Sequence, residues 1–292
     1  MNNLELICDY KDIEKYRLSF NELANTTFDI DFEKWYQKGF WNDRYICYSY
    51  ADGNKVVANV SISKMDIILE GKKKKSLQIG TVMTHPDYRK RGLSAKLIST
   101  ILGEHEENHD FIYLFANKSV LDFYPKFGFK SLQETQYSMD INTVKDKSAK
   151  VRKLDMTNIN DLSKITKFAS ERTPISNVFG VENGEHILLW YCVNIFYNNI
   201  YYLEDDDAIV IYEIENNELH LYDVISKKVV DLNSIITGIV TEETKKVVFH
   251  FTPDPKNIDA KYSFSETDDA FFVKPLSIDI NTKFKYPITA QA

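Results

Sequence analysis

The chain is expected to fold as an α+β protein of two similar lobes, and three observations lead there. A β-rich stretch at residues 76–84 is followed by a helical pattern after Gly92 and then by a continuous apolar run at 111–115. Strand, helix and doubly buried strand in that order make a βαβ unit with parallel strands. Second, Ala51-Asp52-Gly53-Asn54-Lys55 separates two β-rich runs. An Asp-Gly pair there signals an antiparallel hairpin, so the sheet is mixed. Third, the same rhythm returns in the second half of the 292 residues, a length that suits roughly two domains.

Each element follows from its local pattern. Ile13, Tyr16, Phe20, Leu23 and Ala24 share one face of a helix over residues 11–24. A short helix around Phe32, Trp35, Tyr36 and Phe40 begins at Asp29 and Asp31, which can cap it. Residues 45–50 and 56–62 form the hairpin, and 65–69 extend the sheet. Residues 71–75 are expected to be a solvated basic turn before the strand at 76–84. Leu93, Leu97, Ile98, Ile101 and Leu102 lie on one side of the next helix. Residues 119–124 read as one short helix ended by Pro125 and Gly128, and 129–131 and 136–141 close the first sheet. Residues 142–150 lack apolar periodicity and form the expected linker, giving lobes 1–142 and 150–292.

In the second lobe Asn158 caps a helix carrying Ile159, Leu162, Ile165 and Phe168, and 186–196 is apolar enough for a buried helix. Strands follow at 201–203, 208–214 and 218–224, with Asn216-Asn217 turning the last pair. Asp231 caps a helix bearing Leu232, Ile235, Ile236 and Ile239. Residues 247–251 and 270–273 are the last strands.

Composition narrows the class. With 36 basic and 43 acidic side chains the net charge is −7, against the basic excess of a nucleic-acid binder. At 43% apolar and 27% charged the chain has globular composition. Cys8, Cys47 and Cys192 lie far apart without metal spacing, so neither disulfides nor a metal site is expected. They read as reduced core thiols of a cytoplasmic protein. The N-terminal ten residues carry acids and no long apolar stretch, so no signal peptide is read there. The apolar run at 187–193 is too short to cross a bilayer. No nucleic-acid or membrane partner is expected, and the oligomeric state is left open.

The informative stretch is Val82-Met83-Thr84-His85-Pro86-Asp87-Tyr88-Arg89-Lys90-Arg91-Gly92-Leu93-Ser94-Ala95. It ends a strand, turns through a basic loop and opens a helix, whose first amides and partial positive charge favour an anion. Gly92 admits close backbone approach, three cations flank it, and Ser94 and Ala95 are small. A pyrophosphate cradle and a plain basic turn both fit these residues. A Walker lysine and a G-x-G-x-x-G pattern are both missing, which leaves ATP and dinucleotides little support.

The segment resembles the acetyl-CoA signature R/Q-x-x-G-x-G/A of the GNAT N-acetyltransferase superfamily, as Arg89-x-x-Gly92-x-Ser94. Ser94 departs from the usual Gly or Ala but is small. Asn117, Tyr124 and Gly128-Phe129 are similar to the N-x6-Y-x3-G-F segment of the same family, one helix and one strand further on. The resemblance covers residues 46–129 and implies a GNAT fold, a mixed central sheet flanked by helices. It implies that the backbone of Val82, Met83 and Thr84 holds the pantetheine arm and thioester. Amides across Lys90, Arg91, Gly92, Leu93, Ser94 and Ala95 would bind the pyrophosphate, and Asn117 would touch the cofactor where two strands part. Tyr124 would be the general acid toward the leaving thiolate, a role that typically contributes about 10²–10⁴-fold.

A base is less visible. The strand carries no carboxylate; His85 at its end is a candidate base or simply a cap for the turn. Asp29, Asp31 and Glu33 lie in the helical region that lines the acceptor cleft in similar proteins.

The halves also resemble each other. Leu77-Gln78-Ile79-Gly80-Thr81-Val82 parallels Leu219-His220-Leu221-Tyr222-Asp223-Val224, but 21 residues separate Val82 from Gly103 and only 14 separate Val224 from Gly238. The shortfall falls at the phosphate loop, where the second half has no glycine. A degenerate GNAT-like second lobe without CoA is expected, or else an unrelated α+β domain. The acidic run Glu204-Asp205-Asp206-Asp207 would attract a cationic amine if it faced the cleft. The plan resembles tandem acetyltransferases of the enhanced-intracellular-survival type, without room for their third, sterol-carrier-like domain. The expected activity is acetyl-CoA-dependent N-acetyl transfer to a small, cationic primary amine in a ternary complex. The alternatives are a CoA-binding regulator without turnover and a protein-modifying acetyltransferase.

Overall fold

The computed structural model describes residues 4–141, 149–264, 269–274 and 282–292. Strand β1 (Glu5–Cys8) precedes helices α1 (Glu14–Phe28) and α2 (Glu33–Gln37). Three antiparallel strands follow: β2 (Tyr45–Asp52), β3 (Lys55–Leu69) and β4 (Lys72–Thr84). Gly53 at φ 61° and Gly71 at φ 74° make the two tight turns, where left-handed backbone favours glycine. The four lysines 72–75 are not a solvated turn but the start of β4, paired with residues 66–69. Lys73 sits between Asp66 (3.1 Å) and Glu182 (2.8 Å). A run of identical side chains shows no alternation, so pattern could not reveal that strand.

Helix α3 (Leu93–His105) crosses to β5 (Phe111–Asn117), which pairs parallel with β4 and completes the βαβ unit. Residues 119–124 do not form one helix. Two 3₁₀ turns, Lys118–Val120 and Tyr124–Phe127, stand there, and Gly128 at φ 87° closes the second. Pro125 begins a turn rather than ending a helix, because its missing N–H is needless in a first turn. Strands β6 (Lys130–Leu132) and β7 (Thr135–Asp140) follow.

The second half runs β8 (Val151–Lys153), α4 (Ile159–Glu171), β9 (Phe179–Glu182) and α5 (Glu185–Asn194). It continues with β10 (Ile200–Leu203), β11 (Ala208–Glu215), β12 (Glu218–Ser226) and α6 (Leu232–Ile239). It ends with β13 (Lys246–Phe249), β14 (Lys261–Phe264) and β15 (Asp269–Lys274). Asn158 and Asp231 cap α4 and α6 by accepting backbone amides.

The first sheet has the order β1-β2-β3-β4-β5-β15-β6, with β9 beside the far end of β3. The second is β8-β10-β11-β12-β13-β7-β14. Both are antiparallel up to one parallel pair, β4–β5 or β12–β13, and antiparallel beyond it. In each, the sixth strand comes from the other half. Residues 136–141 therefore do not close the first sheet; β7 pairs with β13 and β14, while β15 fills the corresponding place in the first. Strand patterning marks a segment as β without saying which sheet it joins. The linker expected at 142–150 lies mostly outside the described residues, and the two sheets exchange strands across it.

Helix α3 buries Leu93, Leu97, Ile98, Ile101 and Leu102 against Leu77, Ile79, Ile112 and Leu114. Each such side chain contributes roughly 1.5–3 kcal/mol. Helix α6 covers the second sheet in the same way. An inner core joins the halves, with Trp35 and Tyr45 from one and Leu188 and Ile209 from the other. Residues 282–292 thread it: Tyr286 and Tyr113 hydroxyls bond at 2.8 Å, and the Ala292 amide donates to Gln78 Oε1 at 3.1 Å. Cys47 and Cys192 are buried, but Cys8 is exposed on edge strand β1 rather than a core thiol. No helix among the described residues is long and apolar enough to cross a membrane.

Candidate active site

Pairing between β4 and β5 stops at Ile79–Leu114. Beyond it Thr81 takes φ 48°, the β3–β4 register slips between Asn59 and Ser61, and β4 bends away from β5. Buried polar groups hold that bulge. Asn59 Nδ2 donates to the Thr81 carbonyl at 2.8 Å and to Ser61 Oγ at 2.9 Å. Ser49 Oγ donates to Asn59 Oδ1 at 2.8 Å, and the Tyr45 and Thr81 hydroxyls bond at 2.7 Å. A satisfied network in a low-dielectric interior specifies one geometry. Sequence reasoning missed it; the only signal was polar Ser49, Asn59 and Ser61 in strands otherwise rich in apolar residues.

The parted strands open into a cleft of about 650 Å³. On the α3 side, Lys90 (φ 62°) and Gly92 (φ 73°) adopt left-handed backbone and deliver the chain into the helix. The first helical bond runs from the Lys96 amide to the Gly92 carbonyl at 3.0 Å. The amides of Leu93, Ser94 and Ala95 therefore have no helical acceptor, and these residues line the cleft. Arg89 and Lys90 line it too, and Arg89 Nε is fixed on the Thr84 carbonyl at 3.1 Å. Ser94 Oγ bonds Thr84 Oγ1 at 2.8 Å, so the departure from Gly or Ala ties the helix start to β4. Arg91 does not line the cleft. It donates to the Asp87 carbonyl at 2.7 Å and covers the Tyr88 ring at 4.7 Å, bracing the loop from outside.

Val82 and Thr84 line the cleft, whereas the Met83 side chain is buried in the inner core. Asn117 lines it at the end of β5. Its Oδ1 accepts from the Ser119 amide at 3.0 Å, leaving Nδ2 as its donor. The Tyr124 ring packs on Phe129 and Phe272, and burial pushes its phenol up to about 12.

The other end of the cleft is formed by Phe28, Ile30, Phe115, Asp269, Gln291 and Ala292. Ile30, Phe115 and Ala292 pack on the inner core, while Val120, Phe123 and Tyr124 belong to the core under α3. The cleft thus passes through the sheet from one face to the other. At Gly80 a Cβ would stand 2.9 Å from the Ala292 main chain, so this passage needs glycine.

The structure places the candidate bases elsewhere. His85 Nδ1 accepts from the Asp87 amide at 3.4 Å, its Nε2 lies 3.1 Å from Lys55 Nζ, and it does not line the cleft. Asp29 terminates α1 at φ 58°, and Asp31 accepts from the Glu33 amide at 2.7 Å. Glu33 pairs with Arg17 at 3.0 Å; burial raises its carboxyl, but bonds from Arg17 and Gln37 outweigh this and leave it lowered. None of the three lines the cleft. The acidic run at 204–207 turns β10 into β11, where Asp207 accepts from Tyr202 at 2.8 Å and Asp206 from Ser234 at 3.0 Å.

In the second lobe β12 and β13 also part, after the Leu221–Phe249 pair. That gap is filled from within. Arg172 binds Asp223 through two bonds of 2.9 and 2.8 Å, and Thr289 donates to Asp223 at 2.6 Å. Before α6 lies a cavity of only about 20 Å³, lined by Thr173, Pro174, Ile175 and Lys228 among others.

Residues 13–132 match the family model of the acetyltransferase (GNAT) domain. No curated protein matches the chain. A GCN5-related N-acetyltransferase from Kribbella flavida is similar over 93% of this chain and 71% of its own, at 15% identity and a TM-score of 0.58. A probable N-acyltransferase from Enterococcus faecalis has the same coverages, 13% identity and a TM-score of 0.60. Eis1 from Mycobacterium abscessus covers 93% of this chain and 72% of its own, at 11% identity and a TM-score of 0.55. The fold is the GNAT fold, with mixed sheets flanked by helices.

Proposed function

We propose that the protein is an acetyl-CoA-dependent N-acetyltransferase that acylates a primary amine of a small molecule by direct attack in a ternary complex. One observation carries the reading: a single cleft joins unpaired helix amides and two cations to a parted strand pair and to Tyr124. Its volume of about 650 Å³ lies within the usual range for ligand sites.

Acetyl-CoA fits this donor set. The amides of Leu93 to Ala95, with Lys90 and Arg89 beside them, suit a pyrophosphate. The edge of β4 from Val82 to Thr84, unpaired with β5, offers backbone groups to an extended amide-bearing arm. Bound acetyl-CoA supplies an activated acyl thioester, whose transfer makes a C–N bond and breaks a C–S bond. Tyr124 keeps its proton at neutral pH and donates it, as a hydrogen bond or outright, to the departing sulfur. The attacking amine sheds its proton toward the solvent-open mouth. The second lobe takes no CoA on this reading, because its parted strands are occupied by Arg172, Asp223 and Thr289. On this reading the protein works in the cytoplasm, where acetyl-CoA is available and exposed thiols such as Cys8 stay reduced.

Calorimetric titration with acetyl-CoA tests the binding half. Lys90→Glu is expected to weaken it by about tenfold or more, since a cation beside a diphosphate becomes an anion. Thiol release across an amine panel tests turnover. Binding with no thiol release from any amine would replace the enzyme with a CoA-responsive regulator.

A further inference from the structure

The inner-core end of the cleft has a distinct chemistry. Phe28 and Ile30 come from the end of α1 and the connection to α2, and Phe115 comes from β5. Phe28 is 40% exposed, so its ring stands at the mouth rather than in the core. The Phe115 ring is fixed against Phe271 at 5.2 Å and Tyr286 at 5.0 Å. Among the described lining residues Asp269 has the only acidic side chain, while the cations Arg89 and Lys90 belong to the α3 side. Asp269 opens β15 opposite Asn117. Burial first, and then the Asp269 charge, push the Tyr191 phenol up, and the Tyr191 hydroxyl donates to the Gln291 carbonyl at 3.0 Å. Tyr191 and Gln291 are therefore in contact, and Asp269, two residues before Phe271 on β15, faces the same inner-core side.

Resting on the acetyltransferase reading, we propose that the acceptor is a monoamine with an apolar body of aryl size, its ammonium group received by Asp269 and its body held between Phe28, Ile30 and Phe115. A carboxylate has about four acceptor positions, so Asp269 can take an ammonium alongside the partners the protein gives it. Apolar walls reward burial of an apolar body. A polycation brings additional ammonium groups against those walls, and each desolvated charge left unpaired is costly. Because β15 comes from the second half, the acceptor end is incomplete without it, which gives the second lobe a part in substrate choice.

The test compares 2-phenylethylamine with spermidine on the full chain, following thiol release, with acetyl-CoA binding measured separately by calorimetry. The aryl amine is expected to have a kcat/KM at least about tenfold higher. Asp269→Asn should raise its KM by about tenfold while kcat and acetyl-CoA affinity hold, as for loss of one charged hydrogen bond. Phe28→Ala removes an exposed ring, spares the fold and should raise the same KM. Preference for spermidine, or a KM unmoved by Asp269→Asn, overturns the proposal and leaves the acetyltransferase standing. Loss of acetyl-CoA binding in Asp269→Asn also overturns it, by assigning Asp269 to the cofactor end. Failure of the unaltered protein to bind acetyl-CoA removes the parent reading, and this one with it.

Discussion

Burial alone raises the Tyr124 phenol, to about 12, so the hydroxyl holds its proton across the neutral range. Tyr124→Phe keeps the ring contacts with Phe129 and Phe272. Turnover is expected to fall on the order of 10²-fold or more, with acetyl-CoA affinity and the urea midpoint unchanged. The hydroxyl also bears on stability at high pH. In the unfolded chain it ionises near about 10, before the folded form does, so its contribution is complete below that pH and is lost as pH rises toward 12. Urea titrations between pH 9 and 11 should show a shallower alkaline decline in the phenylalanine variant. Tyr124 was legible in the sequence because it stands in a spaced set with Asn117 and Gly128. Asn59 was not, since a lone asparagine in a strand has no spacing to recognise. Asn59→Leu leaves the Thr81 carbonyl and the Ser49 hydroxyl buried without that partner. A cost of about 2–4 kcal/mol in urea denaturation is expected, together with reduced turnover as the bulge relaxes.

On the proposed reading the start of α3 is the element on which acetyl-CoA affinity depends, and Gly92 sets its direction. A Cβ at Gly92 would meet nothing within 4 Å, so the cost of Gly92→Ala is conformational, from φ 73°. About 1 kcal/mol of stability should be lost. Acetyl-CoA affinity should fall several-fold as the amides of Leu93 to Ala95 turn from the cleft, which calorimetry would show while urea denaturation reports the stability. This element could be read from sequence because glycine, cations and small residues lie within seven consecutive positions. The proposed acceptor end could not. Phe28, Phe115, Asp269 and Gln291 are brought together by α1, β5, β15 and the final segment, which are far apart in the chain. Helices α1, α3, α4 and α6 were legible because their apolar stripes are local, whereas the helix expected at 119–124 is two 3₁₀ turns. Strand membership was not, because β7 and β15 have the same alternation whichever sheet receives them.

Exchange of β7 and β15 makes each sheet depend on the other half. β7 lies between β13 and β14, and β15 between β5 and β6, so neither is a dispensable edge. The repeat of order also matches the internal sequence likeness: Ile79 and Leu221, aligned by that likeness, are each the last paired residue before their strands part. Cutting at the linker would leave the first half without β15 and the second without β7, each exposing the unpaired backbone of a neighbouring strand. It would also bare the inner core, where Trp35 Nε1 donates to the His186 carbonyl at 2.9 Å across the halves. Residues 1–142 alone are therefore expected to lack a cooperative thermal transition, although they contain the whole proposed phosphate loop and Tyr124. Co-expression with 150–292 should restore one transition and acetyl-CoA binding together. Independent folding of the first half, with full acetyl-CoA affinity, would show that the exchanged strand decorates a complete domain. The position of β15 carries this expectation: among the described strands β6 is held only through β15, and the turn carrying Tyr124 lies in the connection from β5 to β6.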